Sequence, residues 1–277
     1  MPMKSKQFKR AISFLLSSVL ILTACSSQKS SINTIDDLKG KTVGTVLGWE
    51  ADYVLSGRDD IKILRYDLCS DMVMALRFNK IDAASLDNFS SALVLSSTSG
   101  IVALDETLGE CGYILIFNPQ NEALRDDFNL FLDDYFKSEE YRGFLERRDS
   151  FDGEEYVDPG IKLTGTGRKL KVAFDDSSFP RAFTDMDTHE PLGFDLEALK
   201  LWANDRNITI EFTTTSFDDM YMGLANDKFD ICVGYISDVL NEEIALKGFY
   251  SSKVFDVSPL YILVTDGSDV SVNAELD

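Results

Sequence analysis

Two segments of this 277-residue chain repeat one another at an offset of 148 residues. The first contains Asp71–Leu76 followed by Lys80–Asp82, and the second contains Asp219–Leu224 followed by Lys228–Asp230. The first aspartate, both methionines, the leucine, the lysine and the last aspartate recur at the same positions. An internal repeat of this kind predicts two similar folding units within one chain.

Each repeat predicts a strand, a crossover helix and a second strand. The first strands are Ile61–Leu64 and Ile208–Thr213, and the second are Ala83–Leu86 and Ile231–Val233. In each helix the apolar residues recur about four apart. Strands alternating with helices favour parallel sheets, and such crossovers are right-handed in nearly all cases. The sequence therefore predicts an α/β fold of two lobes, with parallel-rich sheets flanked by helices and a cleft at the carboxyl ends of the strands.

The first 24 residues indicate an export signal. A basic start that includes Lys4 and Arg10 precedes an apolar run, Ala11–Ala24, which is shorter than the roughly 20 residues of a membrane-spanning helix. The run ends in Leu22–Cys25, which resembles the lipobox of bacterial lipoproteins. The resemblance implies cleavage before Cys25, lipidation of its thiol and attachment to the outer face of the cell membrane. Residues 25–34 would then form the lipidated tether; the alternative is an ordinary secretion signal that contains a cysteine.

Charge and residue usage exclude several functions. Removing four basic residues with the signal leaves 23 of 27 against 47 acidic residues, a net charge of −24. Such a chain repels phosphate backbones, which argues against nucleic acid as a partner, and it favours a cationic ligand. His189 is the only histidine, and no Cys-x-x-Cys pair occurs. We therefore expect neither a Ser-His-Asp triad nor a metal centre, and no cofactor.

Further motifs resemble the type II bacterial solute-binding proteins, family 3. Gly193–Leu196, with Phe179-Pro180 before it and Lys228–Asp230 after it, is similar to the first lobe of that family. Asp37–Gly44, followed by Lys80–Ala83 and Asp87, is similar to its second lobe. The resemblance implies a periplasmic-binding-protein type II fold with two hinge crossings, near Tyr113–Phe117 and near Tyr261–Thr265.

The lobe order is unusual for that family, which runs from the first lobe through the second to closing helices. Here residues 35–113 resemble the second lobe, and residues 266–277 are expected to join it. Residues 114–265 resemble the first lobe and include the closing helices at 122–148. This order indicates a circular permutation, and the alternative is a fragment of a longer tandem protein.

The family resemblance also implies a function. Its members close two lobes around a small ligand and present the closed form to the permease of an ABC importer. We expect a monomeric, extracytoplasmic binding protein for an amino acid or amine rather than an enzyme. Three alternatives stay open: a sensor that presents its ligand to a receptor, a dehydratase-like enzyme on the same fold, and a degenerate pair of lobes that binds nothing. The enzyme would need a carboxylate such as Glu50 or Asp87 with a raised pKa beside the ligand.

Candidate ligand-binding residues in the second lobe follow two strands. At Gly48, Trp49 and Glu50 a helix N-terminus is expected to offer backbone N–H groups to the ligand. Trp49 is either a wall for the ligand or a half-exposed packing residue. Asp87 lies where amino-acid-binding members hold the α-amino group, and its alternative role is a helix cap.

In the first lobe the candidates follow the strands that contain Phe174 and Val233. We expect Phe179 and Phe183 to sandwich a ligand, with core packing as the alternative. Ser237 or Asp238 is either a ligand group or a helix cap. The full set is Asp175, Ser178, Phe179, Arg181, Phe183, Gly234, Tyr235, Ser237 and Asp238.

One departure from the family concerns the carboxylate clamp. Amino-acid-binding members carry Thr-x-x-Arg after this glycine, whereas Asn207–Asp277 contains no arginine. The sequence therefore predicts either an amine ligand without a free α-carboxylate or a carboxylate bound by Arg181.

Overall fold

The computed structural model describes residues 32–267, and a compact unit begins at Asn33. The strands are β1 (Thr42–Val46), β2 (Lys62–Tyr66), β3 (Ala83–Asp87), β4 (Ile101–Tyr113), β5 (Ile116–Phe117), β6 (Lys169–Phe174), β7 (Phe183–Thr184), β8 (Pro191–Leu192), β9 (Thr209–Thr214), β10 (Ile231–Val233), β11 (Tyr250–Ser251) and β12 (Asp256–Thr265). The α-helices are α1 (Glu50–Ser56), α2 (Cys69–Arg77), α3 (Asn88–Ser97), α4 (Glu122–Tyr135), α5 (Glu139–Asp149), α6 (Phe194–Asp205), α7 (Phe217–Ala225) and α8 (Asn241–Leu246).

Two five-stranded sheets share one plan. Sheet A has the order β2-β1-β3-β12-β4, and sheet B has the order β9-β6-β10-β5-β11. In each sheet the first three strands are parallel, and the fourth is antiparallel and arrives from the other sheet. We call sheet A with α1–α3 lobe A, and sheet B with α6–α8 lobe B. The predicted two-lobed α/β fold is confirmed.

The repeat has a structural cause in each lobe. Met72 and Leu76 on α2 are fully buried, as are their counterparts Met220 and Leu224 on α7. The last aspartate of each repeat binds a backbone N–H group of the middle parallel strand of its lobe, β1 or β6. The Asp82 carboxylate accepts from the Thr42 N–H at 2.9 Å, and the Asp230 carboxylate accepts from the Lys171 N–H at 2.8 Å. These four apolar residues and two aspartates therefore build the core and the strand register of each lobe.

The chain crosses between the lobes twice. The first crossing, between β4 and β5, lies within the predicted Tyr113–Phe117. The second lies between Ser251 and Asp256, so its prediction at Tyr261–Thr265 is wrong. Residues 256–265 pair with β3 and β4 in sheet A, and the domain boundary at 265 is corrected accordingly. Ladder pairing with strands more than 140 residues away in sequence decides this position.

The closing helices lie against lobe B. Phe128 on α4 meets the ring of Trp202 on α6 edge-on at 5.5 Å, and both are fully buried. The predicted signal 1–24 and lipidated Cys25 lie outside the described residues, as do residues 268–277. Within 32–267 no helix is long and apolar enough to cross a membrane.

Candidate functional site

A cavity of about 850 Å³ lies between the two lobes. Its walls come from the segments that follow β1, β2 and β3 in lobe A and β6, β9 and β10 in lobe B. The cavity therefore occupies the carboxyl ends of both sets of parallel strands, where ligands bind in open α/β sheets. The predicted residues that line it are Gly48, Trp49, Glu50, Asp175, Ser178, Phe179, Tyr235 and Ser237.

Aromatic side chains from the two lobes meet in this cavity. The Trp49 and Tyr235 rings are stacked, with centroids 6.5 Å apart and planes 21° apart. The hydroxyl groups of Tyr235 and Ser90 lie 3.4 Å apart, which adds a second contact between the lobes. Trp49 is 38 % exposed and Tyr235 is half-buried, and both residues line the cavity.

The Gly48 and Trp49 N–H groups, which directly precede α1, are not free. The Gly48 N–H donates to an Asp52 carboxylate oxygen at 3.1 Å, and the Trp49 N–H donates to the Val46 carbonyl at 3.2 Å. Arg65 holds Asp52 in place through an ion pair of 2.7 Å. The prediction that Gly48 and Trp49 offer free backbone donors is therefore wrong.

Glu50 and Asp87 form a buried acidic pair beside the cavity. Burial and the neighbouring charge of Asp87 raise the pKa of Glu50 to about 7. Asp87 does not line the cavity, and one of its oxygens caps α3 by accepting from the Phe89 and Ser90 N–H groups. The cap is thus present, yet the other carboxylate oxygen is buried without a hydrogen-bond partner. A cation beside Glu50 would offset the cost of both acids.

Arg181 is a structural ion-pair partner and does not line the cavity. Its side chain is fully buried, and its guanidinium contacts Asp195 at 2.6 Å and Asp256 at 3.2 Å. The guanidinium also lies 3.1 Å from the centre of the Tyr113 ring. Burial raises the pKa of Asp195 to about 6 despite this cation. Both contacts use Nη1, whereas Nε and Nη2 are buried without a hydrogen-bond partner. Because Arg181 does not line the cavity, this arrangement gives the proposed carboxylate clamp no access to a ligand there.

The two candidate phenylalanines do not form a sandwich. Phe179 lines the cavity, but Phe183 belongs to an aromatic cluster and meets the Tyr156 ring edge-on at 5.5 Å. The Phe179 and Phe183 rings contact each other edge-on at 4.9 Å. Phe183 therefore supports Phe179 from behind, and core packing is its role.

The residues after β10 organise the crossing beside the cavity. The Ser237 hydroxyl accepts from the Val239 N–H at 3.4 Å, which is the cap considered from sequence. Asp238 does not line the cavity, and its carboxylate accepts from the Gly112 N–H at 2.9 Å. Gly234 has φ +106°, and a Cβ there would lie 3.1 Å from Ala182. Gly234 and Asp238 thus shape the backbone around the site.

The sequence reasoning missed the walls that two helices of lobe A supply. The lining residues on α2, from Ser70 to Arg77, are spaced three and four apart in sequence, which places them on one helix face. That spacing was a usable signal, but it does not say whether the face lines the core or a cavity. The missed residues are Ser70, Val73, Met74 and Arg77 on α2 and Ser90, Leu93, Val94 and Ser97 on α3. Other missed residues on the wall are Leu47, Cys69, Thr98, Ser177, Phe217, Asp218, Val239 and Leu240.

Solved structures that match this chain include the probable amino-acid ABC transporter extracellular-binding protein ytmK from Bacillus subtilis. It is 11% identical with a TM-score of 0.43, and the match covers 84% of this chain and 86% of that one. The GluR0 ligand binding core in complex with L-glutamate is 9% identical with a TM-score of 0.39, and the match covers 83% and 86% of the two chains. The regulatory domain of OxyR2 from Vibrio vulnificus is 10% identical with a TM-score of 0.43, and the match covers 86% and 92%.

No curated protein sequence matches this chain. A family model does match, and it covers β6 through β12, which is most of lobe B together with the second crossing. The matching model is that of the bacterial extracellular solute-binding proteins, family 3, and its match to residues 170–269 includes the motif at Gly193–Leu196.

Proposed function

We propose that this protein is a membrane-tethered, extracytoplasmic receptor that captures a small amine-bearing ligand between its lobes for an ABC importer. The observation that carries the proposal is the cavity itself. Both lobes line it at the carboxyl ends of their strands, and its volume of about 850 Å³ suits a small molecule. The family match to residues 170–269 supports the solute-binding role.

The chemistry of the walls supports an amine. Glu50, Asp175 and Asp218 bring carboxylates to the cavity, and Trp49 and Tyr235 bring aromatic faces. Carboxylates attract a cation, and an indole face stabilises one by cation–π attraction. The net charge of −24 expected after export would also steer cations toward the protein.

The membrane tether and the importer are inferred from sequence and family. The basic start, the apolar run and Leu22–Cys25 support lipidation of Cys25. Labelling of cells with a radioactive fatty acid tests this step, and Cys25→Ala should abolish the labelling.

A thermal-unfolding screen of residues 26–277 tests ligand capture. Amines, polyamines and amino acids are added to the wild-type protein, to Glu50→Gln and to the control Glu140→Gln, whose side chain is exposed on α5. A ligand at about 100 times its Kd should add roughly 2.7 kcal/mol to the free energy of unfolding. Stabilisation by amines that is weakened in Glu50→Gln and kept in Glu140→Gln supports the proposal. An absence of stabilisation by any amine contradicts it.

One observation favours an enzyme as a second candidate. The pKa of about 7 for the buried Glu50 carboxyl is the property that general acid–base catalysis requires. Each stabilising ligand should therefore be incubated with the protein and analysed by mass spectrometry. Conversion by the wild type that disappears in Glu50→Gln would identify an enzyme, and recovery of unchanged ligand supports the receptor.

A further inference from the structure

Arg77 is an unpaired cation on the wall of the cavity. Among the lining residues, all of which lie in the described part of the chain, it is the only basic one. Its Nε is buried without a hydrogen-bond partner, and its side chain forms no ion pair within residues 32–267. A guanidinium on a cavity wall with no partner in the protein favours an anionic occupant, because its terminal N–H groups can donate to the anion.

The position of Arg77 separates it from the acidic end of the cavity. Cys69 lies at the start of α2. Burial and, to a smaller extent, the negative charge of Asp87 raise the pKa of its thiol to about 11, which places Asp87 near this end of the helix. Arg77 ends the same helix. At about 1.5 Å per residue, the seven steps from Ser70 to Arg77 span roughly 10 Å. The cavity therefore has an acidic region at one end of α2 and a basic group at the other.

The wall between these ends is largely apolar. Val73 and Met74 lie on the same face of α2 as Arg77, and Leu93 and Val94 on α3 line the cavity with them. Val73 and Val94 also pack in one core cluster, which holds the two helices together. An apolar segment of a ligand would cover this stretch.

The repeat indicates that the fold does not require an arginine at this position. In the matching helix of lobe B the corresponding residue is Ala225, which does not line the cavity. Arg77 does lie in the last turn of α2, where a cation also stabilises the helix dipole. A test must therefore separate ligand binding from helix stability.

We infer that Arg77 binds an anionic group of the ligand whose cationic group lies beside Glu50. This inference rests on the proposed receptor function and specifies its ligand class. The ligand is a molecule that carries a cation and an anion at opposite ends of an apolar segment. The guanidinium N–H groups of Arg77 donate to the anion, in the manner of an arginine–carboxylate pair. Arg77 thus supplies the anion contact that was first assigned to Arg181.

Isothermal titration of residues 26–277 with two probe series tests the inference. One series is straight-chain ω-amino carboxylates of four to ten carbons, and the other is n-alkylamines of the same lengths. The proteins are wild type, Arg77→Met, Arg77→Lys and the control Arg142→Met. Arg142 is exposed on α5 and loses the same charge on substitution. Circular dichroism and the unfolding midpoint without ligand show whether each variant folds.

We expect wild type and Arg142→Met to bind the best amino carboxylate at least about tenfold more tightly than the alkylamine of equal length. Arg77→Met should lose this preference and keep its affinity for the alkylamine, whereas Arg77→Lys should retain part of the preference. A preference that persists in Arg77→Met overturns the inference, as does an equal loss of affinity for both series. If alkylamines bind wild type and the amino carboxylates bind no more tightly, the proposed receptor function is supported and the proposed anion site at Arg77 is wrong. If neither series binds, both are wrong.

Discussion

The Tyr235 backbone N–H donates to the Asp195 carboxylate at 3.0 Å while the Tyr235 ring faces the cavity. The other oxygen of Asp195 contacts Arg181, which also reaches Asp256 at the start of β12. The cavity wall is therefore joined to the second crossing through one continuous set of hydrogen bonds and ion pairs. Hinge closure in a two-lobed protein is a population shift between such bonded states.

Tryptophan fluorescence should report ligand binding through Trp49. The chain has two tryptophans, and Trp202 is fully buried, with its indole N–H donating to Asp127 at 2.9 Å. Ligand in the cavity changes the surroundings of Trp49 and leaves those of Trp202 unchanged. Ligand should therefore change the emission of wild type and of Trp202→Phe, but not that of Trp49→Phe. An unchanged response in Trp49→Phe would place the ligand elsewhere.

The affinity for amines should rise with pH through the region of about 7, the raised pKa of the Glu50 carboxyl. Below that pH the carboxyl is protonated and neutral, and above it the carboxylate attracts the cation. Titrations at pH 5.5 and 8.5 should show tighter binding at the higher value in wild type. In Glu50→Gln this dependence should be largely lost. A steep dependence that survives in Glu50→Gln would assign the titration to another group.

The contribution of the Glu50 carboxyl to the free energy of unfolding should fall as the pH rises, whereas the affinity for amines should rise. The pKa of Glu50 is raised on folding from 4.5 to about 7, so the folded protein holds this proton more tightly than the unfolded chain does. Its contribution to stability is fully present below pH 4.5 and is lost as the pH rises to about 7. Between pH 4.5 and 8, Glu50→Gln should gain about 1–3 kcal/mol relative to wild type. Urea unfolding at the two pH values measures this difference, and a constant difference would contradict the assignment.

Arg181→Met should destabilise the protein strongly. Removing the guanidinium leaves Asp195 and Asp256 buried without their shared cation, and losing one partner of a buried ion pair costs about 3–5 kcal/mol. The control Arg142→Met removes an exposed pair with Glu139 and should cost less than about 1 kcal/mol. Urea unfolding compares them. A stable Arg181→Met protein with lost ligand affinity would instead restore the carboxylate clamp.

Two substitutions of Asp87 separate its role as the N-cap of α3 from the effect of its negative charge on ligand binding. Asp87→Asn keeps a side-chain oxygen for the Phe89 and Ser90 N–H groups, so stability should change by less than about 1 kcal/mol. The loss of negative charge beside Glu50 should lower the affinity for amines. Asp87→Ala loses the cap as well and should cost about 0.5–2 kcal/mol of stability. Equal amine affinity in wild type and Asp87→Asn would make Asp87 a cap alone.

The sequence predicted the two lobes because the repeated residues determine contacts between segments that are close in sequence. Met72 and Leu76 are spaced for one buried helix face, and Asp82 fixes the neighbouring strand within forty residues. The second crossing was misplaced because the apolar run Leu260–Val264 suits either sheet. Its pairing with β3 and β4, far away in the chain, assigns the strand to sheet A.

The sequence predicted the site residues that directly follow strands. It missed those on helices, because the rotation of a helix about its axis decides which side chains face the cavity. Trp49 and Tyr235 follow β1 and β10, so the sheet edge places them at the cleft. Arg77 lies at the far end of α2, and packing of that helix on its lobe turns it toward the cavity. Arg181 follows a strand as well, but its partner Asp256 is 75 residues away, and no local pattern reveals that ion pair.

The most direct test of capture between two lobes is a thermal-unfolding titration with one variant in each lobe. The best amine from the screen is added to wild type, to Glu50→Gln in lobe A and to Tyr235→Ala in lobe B, at increasing concentration. Because both side chains line one cavity, each variant alone should need a higher ligand concentration for the same rise in midpoint. A midpoint that rises in both variants as it does in wild type would contradict ligand capture in the cleft.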